Sequence, residues 1–318
     1  MIKKLVQQLP PISRLIEQRN ELCRELVAMK ERSAFEDGHF YSPIPNNEDI
    51  TGCYANTASS DVMELPGIDL NLEQQKWWMH RLVEFYPELP FQDEPEDGLR
   101  YHFNNQVFCG ADAVSLYGLM RSIQPKRIVE IGSGFSSAVM LDTNERFLDS
   151  SCHLTFIEPY PDRLHGLLTD ADRQSSCIIE KRVQDVTEEP WSDLDAGDFL
   201  FIDSSHVSKC GSDVNRIYFE ILPKIRPGVI VHVHDIFPHF EYPEDWLRRG
   251  RFWNESYLLR SFLQFNSQFE ILFWVPLMVG ANRDFFSKEM PRCCENHGGS
   301  IWFRRKPETN ASANHQEA

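Results

Sequence analysis

The chain has 318 residues, long enough for one large domain plus an accessory segment around a sizeable core. Its apolar content of 42% and charged content of 25% are those of an ordinary globular protein. A formal net charge of −16 and an isoelectric point near 5.1 argue against a nucleic-acid partner, because phosphate tracking relies on clustered Lys and Arg. The basic runs Arg248-Arg249-Gly250-Arg251 and Arg304-Arg305-Lys306 are short and read as solvated faces. No stretch approaches the roughly 18 consecutive apolar residues of a membrane span. The N-terminus lacks the apolar core of a signal peptide. The eight cysteines form no CxxC pair. Cys152 and Cys177 fall in or beside strand-like segments, where buried thiols are ordinary, and Cys293-Cys294 reads as part of a loop. A reducing cytoplasm fits this pattern.

Residues 1–33 read as helix. Ile2, Leu5, Val6 and Leu9 recur at helical spacing, Pro10-Pro11 interrupt, and Ile12, Leu15, Ile16, Leu22, Leu26 and Val27 resume. A single apolar stripe suits packing on the main domain or on a partner chain, so a homo-oligomer built through these helices is an open expectation. From Gly38 to Pro66 periodicity stops, and turn formers and aromatics predict an irregular segment, either a covering loop or a packed linker. A helix follows over Leu72–Tyr86 with Trp77, Trp78, Leu82 and Val83 on one face, then an acidic loop over Glu88–Gly98. Ala111–Ile123 is helical and stops before Pro125.

Strands and helices then alternate, which predicts an α/β fold with a doubly wound parallel sheet. The predicted strands are Arg127–Ile131, His153–Ile157, Cys177–Val183, Asp198–Ile202, Val229–Val233 and Phe269–Val275. Predicted helices cover Ser136–Arg146, Asp213–Leu222 and Glu255–Phe265. A loop from Pro276 to Gly299 leads to a final strand, Ser300–Arg304. Residues 1–98 are thus expected to form a helical and loop extension, 99–306 the main domain, and 307–318 a polar tail.

In doubly wound sheets ligands lie beyond the carboxyl ends of the strands. Those ends carry Glu130, Glu158, Asp185, Asp203 and His234-Asp235. After the first strand comes Gly132-Ser133-Gly134, a turn whose glycines let the backbone bend tightly and approach a ligand. Glu158, 24 residues beyond Gly134, is placed to accept hydrogen bonds from ribose hydroxyls. Asp185 is a weaker candidate for an adenine amino group, and Glu130 is expected to orient the loop or the amino-acid part of a cofactor. A dinucleotide fingerprint would place glycine at position 137, where this chain has Ser137, giving E-x-G-x-G-x-S instead.

That pattern resembles motif I of the class I S-adenosylmethionine (SAM)-dependent methyltransferases. From about residue 99 to 304 the chain is similar to the small-molecule O-methyltransferase group, through VEIGSG, FIEP, LFIDSSH and LPKIRPGVIVHVHD. Many relatives carry D-x-x-H ending strand 4 and H-D ending strand 5, here Asp203–His206 and His234–Asp235. The resemblance implies a Rossmann-like seven-stranded sheet with an antiparallel last strand. It also implies SAM as cofactor and Glu130, Gly132, Ser133, Gly134, Glu158, Asp185 and Asp203 around it. In the cation-dependent members, acids at the strand 4 and strand 5 ends bind Mg²⁺. By position this carries to Asp203, His234 and Asp235, and the histidine would shift preference toward Mn²⁺, Fe²⁺ or Zn²⁺. Where those members have a lysine base, this chain has His206, whose ordinary pKa near 6.5 suits proton removal at neutral pH. Asp203 and His206 are therefore the catalytic candidates. His232 reads as a satisfied core residue beneath His234.

The implied reaction is methyl transfer to a small-molecule acceptor, a hydroxyl oxygen foremost, with no nucleic-acid or membrane partner. The acceptor is expected between the strand 4 and 5 ends and the segments Gly38–Pro45, Phe237–Trp246 and the strand 6–7 loop. Its aromatic, mildly acidic walls suit a sugar, polyketide or phenol. The alternatives are an NAD(P)-dependent oxidoreductase, disfavoured by Ser137, and a non-catalytic SAM-fold partner subunit, disfavoured by the intact turn and acids.

Overall fold

A computed structural model describes residues 12–30, 34–108, 110–187 and 189–307. The chain divides into two compact units, one comprising residues up to Ser59 with Glu244–Phe252, the other Ser60–Pro243 with residues from Trp253 onward. Residues 60–98, expected in the N-terminal extension, group with the second unit in this division. Residues 60–98 join the sheet because polar side chains fasten them to it. Asn71 Nδ2 donates to the Ile271 carbonyl at 3.0 Å, and Gln75 Oε1 accepts the Trp274 amide at 2.8 Å.

In the smaller unit a helix spans Ile12–Lys30, and residues 14–24 are exposed throughout. The apolar residues expected over positions 2–9 lie outside the described residues. The segment predicted to be irregular contains a helix, Asn47–Ala58. It is nucleated by a capping box: Asn46 Oδ1 accepts the Glu48 and Asp49 amides at 2.8 and 2.9 Å, and Asp49 Oδ2 accepts the Asn46 amide at 2.9 Å. Arg248 ties the helix Glu244–Arg248 to it through Asn47 and Thr51.

The larger unit is built on a seven-stranded sheet. Its strands are β1 (Arg127–Ile131), β2 (His153–Ile157), β3 (Cys177–Ile179), β4 (Phe199–Ile202), β5 (Ile230–Val233), β6 (Phe269–Trp274) and β7 (Ile301–Arg305). They lie in the order β3-β2-β1-β4-β5-β7-β6, with β1 to β5 parallel and β7 antiparallel to both β5 and β6. The strand order reverses between β1 and β4, which opens a crevice at their carboxyl ends.

Both faces of the sheet are covered, so strand residues alternate between two cores. Ile128, Phe199 and Phe201 join one with the helices Ala111–Ile123 and Phe135–Phe147. Val129, Leu200, Ile202, Val231 and Val233 join the other with Ile217 and Ile221. Full burial on both sides explains why β4 reads as a continuous apolar run and why β5 is apolar but for His232. β3 stops four residues early, at the sheet edge, and leaves Cys177 exposed, unlike the buried Cys152. The expected loop after β6 forms three helices, Val275–Ala281, Arg283–Glu289 and Arg292–Glu295, because Leu277, Met278, Val279, Phe286 and Met290 are buried. Cys293 and Cys294 are free thiols in the last of them. No described helix is long and apolar enough to cross a membrane.

Candidate active site

The turn after β1 is shaped by its glycines and one buried acid. Gly132 has φ +84°, and a Cβ there would stand 1.7 Å from the Asp203 carbonyl oxygen, so only glycine lets β1 and the end of β4 approach this closely. The turn is fastened on both sides, since the Gly132 amide donates to the Ile157 carbonyl and the Asp203 amide to the Ile131 carbonyl, each at 2.9 Å. Glu130 is fully buried on the face toward the helix Phe135–Phe147. Its carboxylate accepts Ser136 Oγ at 2.5 Å and Ser137 Oγ, while Ser137 Oγ also accepts the Gly134 amide at 3.0 Å. The serine at position 137 is thus the strut that joins turn to helix. Burial pushes the Glu130 carboxyl up to about 8, against the opposing pull of the serine hydroxyls. Glu130 holds the loop from behind and does not line the crevice.

A cavity of about 590 Å³ opens in front of the turn, lined by Gly132, Glu158, Asp203 and, farther out, Tyr160, Gln184 and Asp213 among others. Glu158 is fixed at its edge, accepting the Ser133 amide at 3.0 Å and the Tyr160 amide at 2.8 Å. Asp185 does not line it. Because β3 ends at Ile179, Asp185 falls in a 3₁₀ turn, Val183–Asp185, where it makes a two-pronged pair with Arg182 at 2.7 and 3.0 Å. The neighbouring Gln184 lines the cavity instead. Its amide nitrogen donates to the Gly211 carbonyl at 3.0 Å, and its buried Oε1 has no protein partner.

The ends of β4 and β5 bring Asp203, His206, His234 and Asp235 together, as the sequence order anticipated. His206 is at the centre. Its backbone is left-handed (φ +58°), and its carbonyl accepts the Asn254 and Glu255 amides, each at 3.1 Å. The ring lies 4.4 Å from Trp253. Nε2 is 3.4 Å from Asp203 Oδ1 and 3.5 Å from Asp235 Oδ2, and Nδ1 is 2.9 Å from Glu255 Oε2. Burial alone would keep the imidazole neutral, but Asp203, Glu255 and Asp235 outweigh it and hold its pKa well above 6.5. The histidine is therefore shifted toward its protonated form and does not keep the ordinary pKa that the sequence suggests. Burial would raise the Asp203 carboxyl, yet His234 and His206 hold it low.

Two participants carry no clear sequence signal. Glu255, fully buried, opens the helix Glu255–Leu263, where an acid after Asn254 looks like ordinary first-turn chemistry. Asp112 opens another helix, accepts the Gly299 amide at 2.8 Å and Ser300 Oγ, and is one of the charges that raise the His234 pKa against the effect of burial. His232 lies under this group, stacked 3.7 Å from Phe201. It is not satisfied: neither ring nitrogen has a partner, and burial drives its pKa well below 6.5, so it is neutral.

The set expected to hold a divalent cation does not form one. Among the described residues no group of three or more His, Cys, Asp or Glu side chains could hold a metal ion. His234 Nε2 is 3.9 Å from Asp235 Oδ1, and His206 Nε2 is itself 3.4 Å from Asp203 Oδ1 and 3.5 Å from Asp235 Oδ2.

A family described as a methyltransferase domain matches residues 129–236, the span from β1 through the glycine turn and Glu158 to the β5 end. An uncharacterised protein of Archaeoglobus fulgidus is 31% identical over 181 residues, 55% of this chain and 76% of that protein. Among solved structures, the SAH-bound methyltransferase PaMTH1 of Podospora anserina is 15% identical, with 84% of this chain and 99% of that one covered at a TM-score of 0.41. The O-methyltransferase TomG of Streptomyces achromogenes, in complex with SAM, is 15% identical over 73% of this chain and 99% of that one, at a TM-score of 0.44. The domain match and the sheet order with its antiparallel β7 define a class of doubly wound methyl-transferring enzymes. Residues 129–236 of this chain thus form a methyltransferase domain.

Proposed function

We propose that the enzyme methylates a hydroxyl oxygen of a small-molecule acceptor, with His206 Nε2 taking the hydroxyl proton. The observation that carries this reading is the position of Nε2. It faces Asp203, which lines the cavity beyond the glycine turn, and Asp235 at the end of β5. The sulfonium of SAM is already an activated donor, so the protein's task is to align the oxygen with the methyl group and remove a proton. In this reading Glu158 holds the donor's ribose and Asp203 attracts its sulfonium. A cation placed beside the histidine–carboxylate group disfavours the imidazolium by Coulomb repulsion, so donor binding itself prepares the base. The carboxylates then stabilise the proton that His206 receives. No step is assigned to a divalent cation, since Asp203, His234 and Asp235 do not form a ligand set.

The test is formation of S-adenosylhomocysteine with SAM and a panel of phenols, sugars and polyketides. The His206→Gln protein is expected to bind SAM as the wild type does and to lose about 100-fold or more in turnover. Unchanged turnover removes the base assignment.

A further inference from the structure

We infer that Glu255 is a positioning residue that selects the ring nitrogen with which His206 accepts the proton; the inference rests on the reading of His206 as proton acceptor. A neutral imidazole carries its proton on one nitrogen and a lone pair on the other, and the hydrogen bond made by one decides the role of the other. Glu255 Oε2 lies 2.9 Å from His206 Nδ1, whereas the nearest carboxylate oxygens to Nε2 are at 3.4 and 3.5 Å. The closer partner holds the proton on Nδ1. That leaves the Nε2 lone pair directed at the carboxyl ends of β4 and β5.

The contact is built in from three directions. Glu255 is fully buried, so no water competes for its carboxylate. The Glu255 amide donates to the His206 carbonyl at 3.1 Å, so the two residues are joined through backbone as well as side chain. Trp253 packs on the ring from the same turn. The left-handed backbone at His206 is uncommon outside glycine, and these contacts fix it. No local pattern around position 206 demands them, because their source is 49 residues away.

The experiment uses the full chain labelled with ¹⁵N-histidine and saturated with S-adenosylhomocysteine, in alkaline buffer where the ring is neutral. Long-range ¹H–¹⁵N correlation reports the tautomer, and His206→Gln identifies the signal. Wild type and Glu255→Gln, which keeps an acceptor oxygen in place, are expected to show the proton on Nδ1, and Glu255→Leu to lose that preference. With a phenol that the wild-type enzyme methylates, Glu255→Leu is expected to lose about 100-fold in kcat at unchanged KM for SAM, and Glu255→Gln less than about 10-fold. A wild-type ring protonated on Nε2 overturns the inference whatever the variants do, so a Glu255→Leu protein that fails to fold still leaves it decided. Wild-type tautomer and kcat in Glu255→Leu overturn it as well, as does an equal loss of SAM affinity in both variants. Normal turnover in His206→Gln, by contrast, removes the base assignment and leaves the tautomer result standing.

Discussion

Replacing Gly132 by alanine tests how tightly the donor cavity depends on the approach of β1 to β4. The new Cβ would lie 1.7 Å from the Asp203 carbonyl oxygen and 2.6 Å from its carbon, with a backbone at φ +84°. Non-bonded contact needs about 3.5 Å, so one strand end must recede by nearly 2 Å. Retreat breaks the hydrogen bonds that flank the turn, Gly132 to Ile157 and Asp203 to Ile131. Each is worth about 1 kcal/mol, and the left-handed conformation costs another 1–2 kcal/mol or so. Roughly 3 kcal/mol of this falling on the bound state corresponds to about a 100-fold loss of SAM affinity. Gly211 is the control. It lines the same cavity with φ +73°, but a Cβ there meets nothing within 4 Å. Gly211→Ala therefore incurs only the conformational cost, roughly a 30-fold loss at most and nearer 5-fold at the low end. Titration calorimetry with SAM on both variants decides. Equal losses, or near-normal binding by Gly132→Ala, would refute the clash as the reason for glycine.

Two further predictions concern buried charge. The Glu130 carboxyl titrates at about 8 in the folded protein, against an ordinary 4.5. The folded state therefore holds the proton more firmly, and the associated stability, present below the unfolded pKa, is lost as pH rises through the folded one. At about 1.4 kcal/mol per unit, the upper limit is roughly 5 kcal/mol between pH 4.5 and 8. Denaturant curves should show Glu130→Gln gaining on the wild type across that window, and parallel pH profiles would contradict it. Arg100 forms a two-pronged pair with Asp172 at 2.7 Å and also meets Asp142 and Glu145 at 2.8 Å. Arg100→Ala leaves Asp142, whose side chain is fully buried, without its cation and should cost about 3–5 kcal/mol at neutral pH. Burial holds the Asp142 carboxyl high, so the deficit should shrink in acid as that group takes a proton. A deficit that grows on acidification would rule this account out.

Much of the fold is legible in the sequence because its signals are local. The apolar run of β4, Phe199–Ile202, and the helix Ala111–Ile123 declare themselves within a few residues, and β1 and β2 match their expected bounds. Expectation and structure part where local chemistry is weak or masked. The helix Asn47–Ala58 carries a readable cap at Asn46 and Asp49, hidden among poor helix formers such as Gly52 and Thr51. The expected β3 is too long because residues 180–183 continue its pattern without a neighbouring strand to pair with. That overextension carries Asp185 to the strand end on paper, whereas in the structure Gln184 lines the cavity and Asp185 does not.

The order of the strand-ending acids, the glycine turn and the donor that these imply follow from the chain read end to end. Spacing along one chain encodes them, since each strand ends where its own apolar run stops. The character of His206 follows instead from packing. Asp203 approaches it from its own turn, Asp235 from the next strand, and Glu255 from a helix far along the chain. Their combined field in a buried setting raises the pKa of an ordinary histidine, with Glu255 nearest Nδ1 and the two aspartates near Nε2. The two pairings from Asp235 and Glu255 join residues that no local pattern links, so they exist only once the packing of the sheet and its covering helices has brought them together.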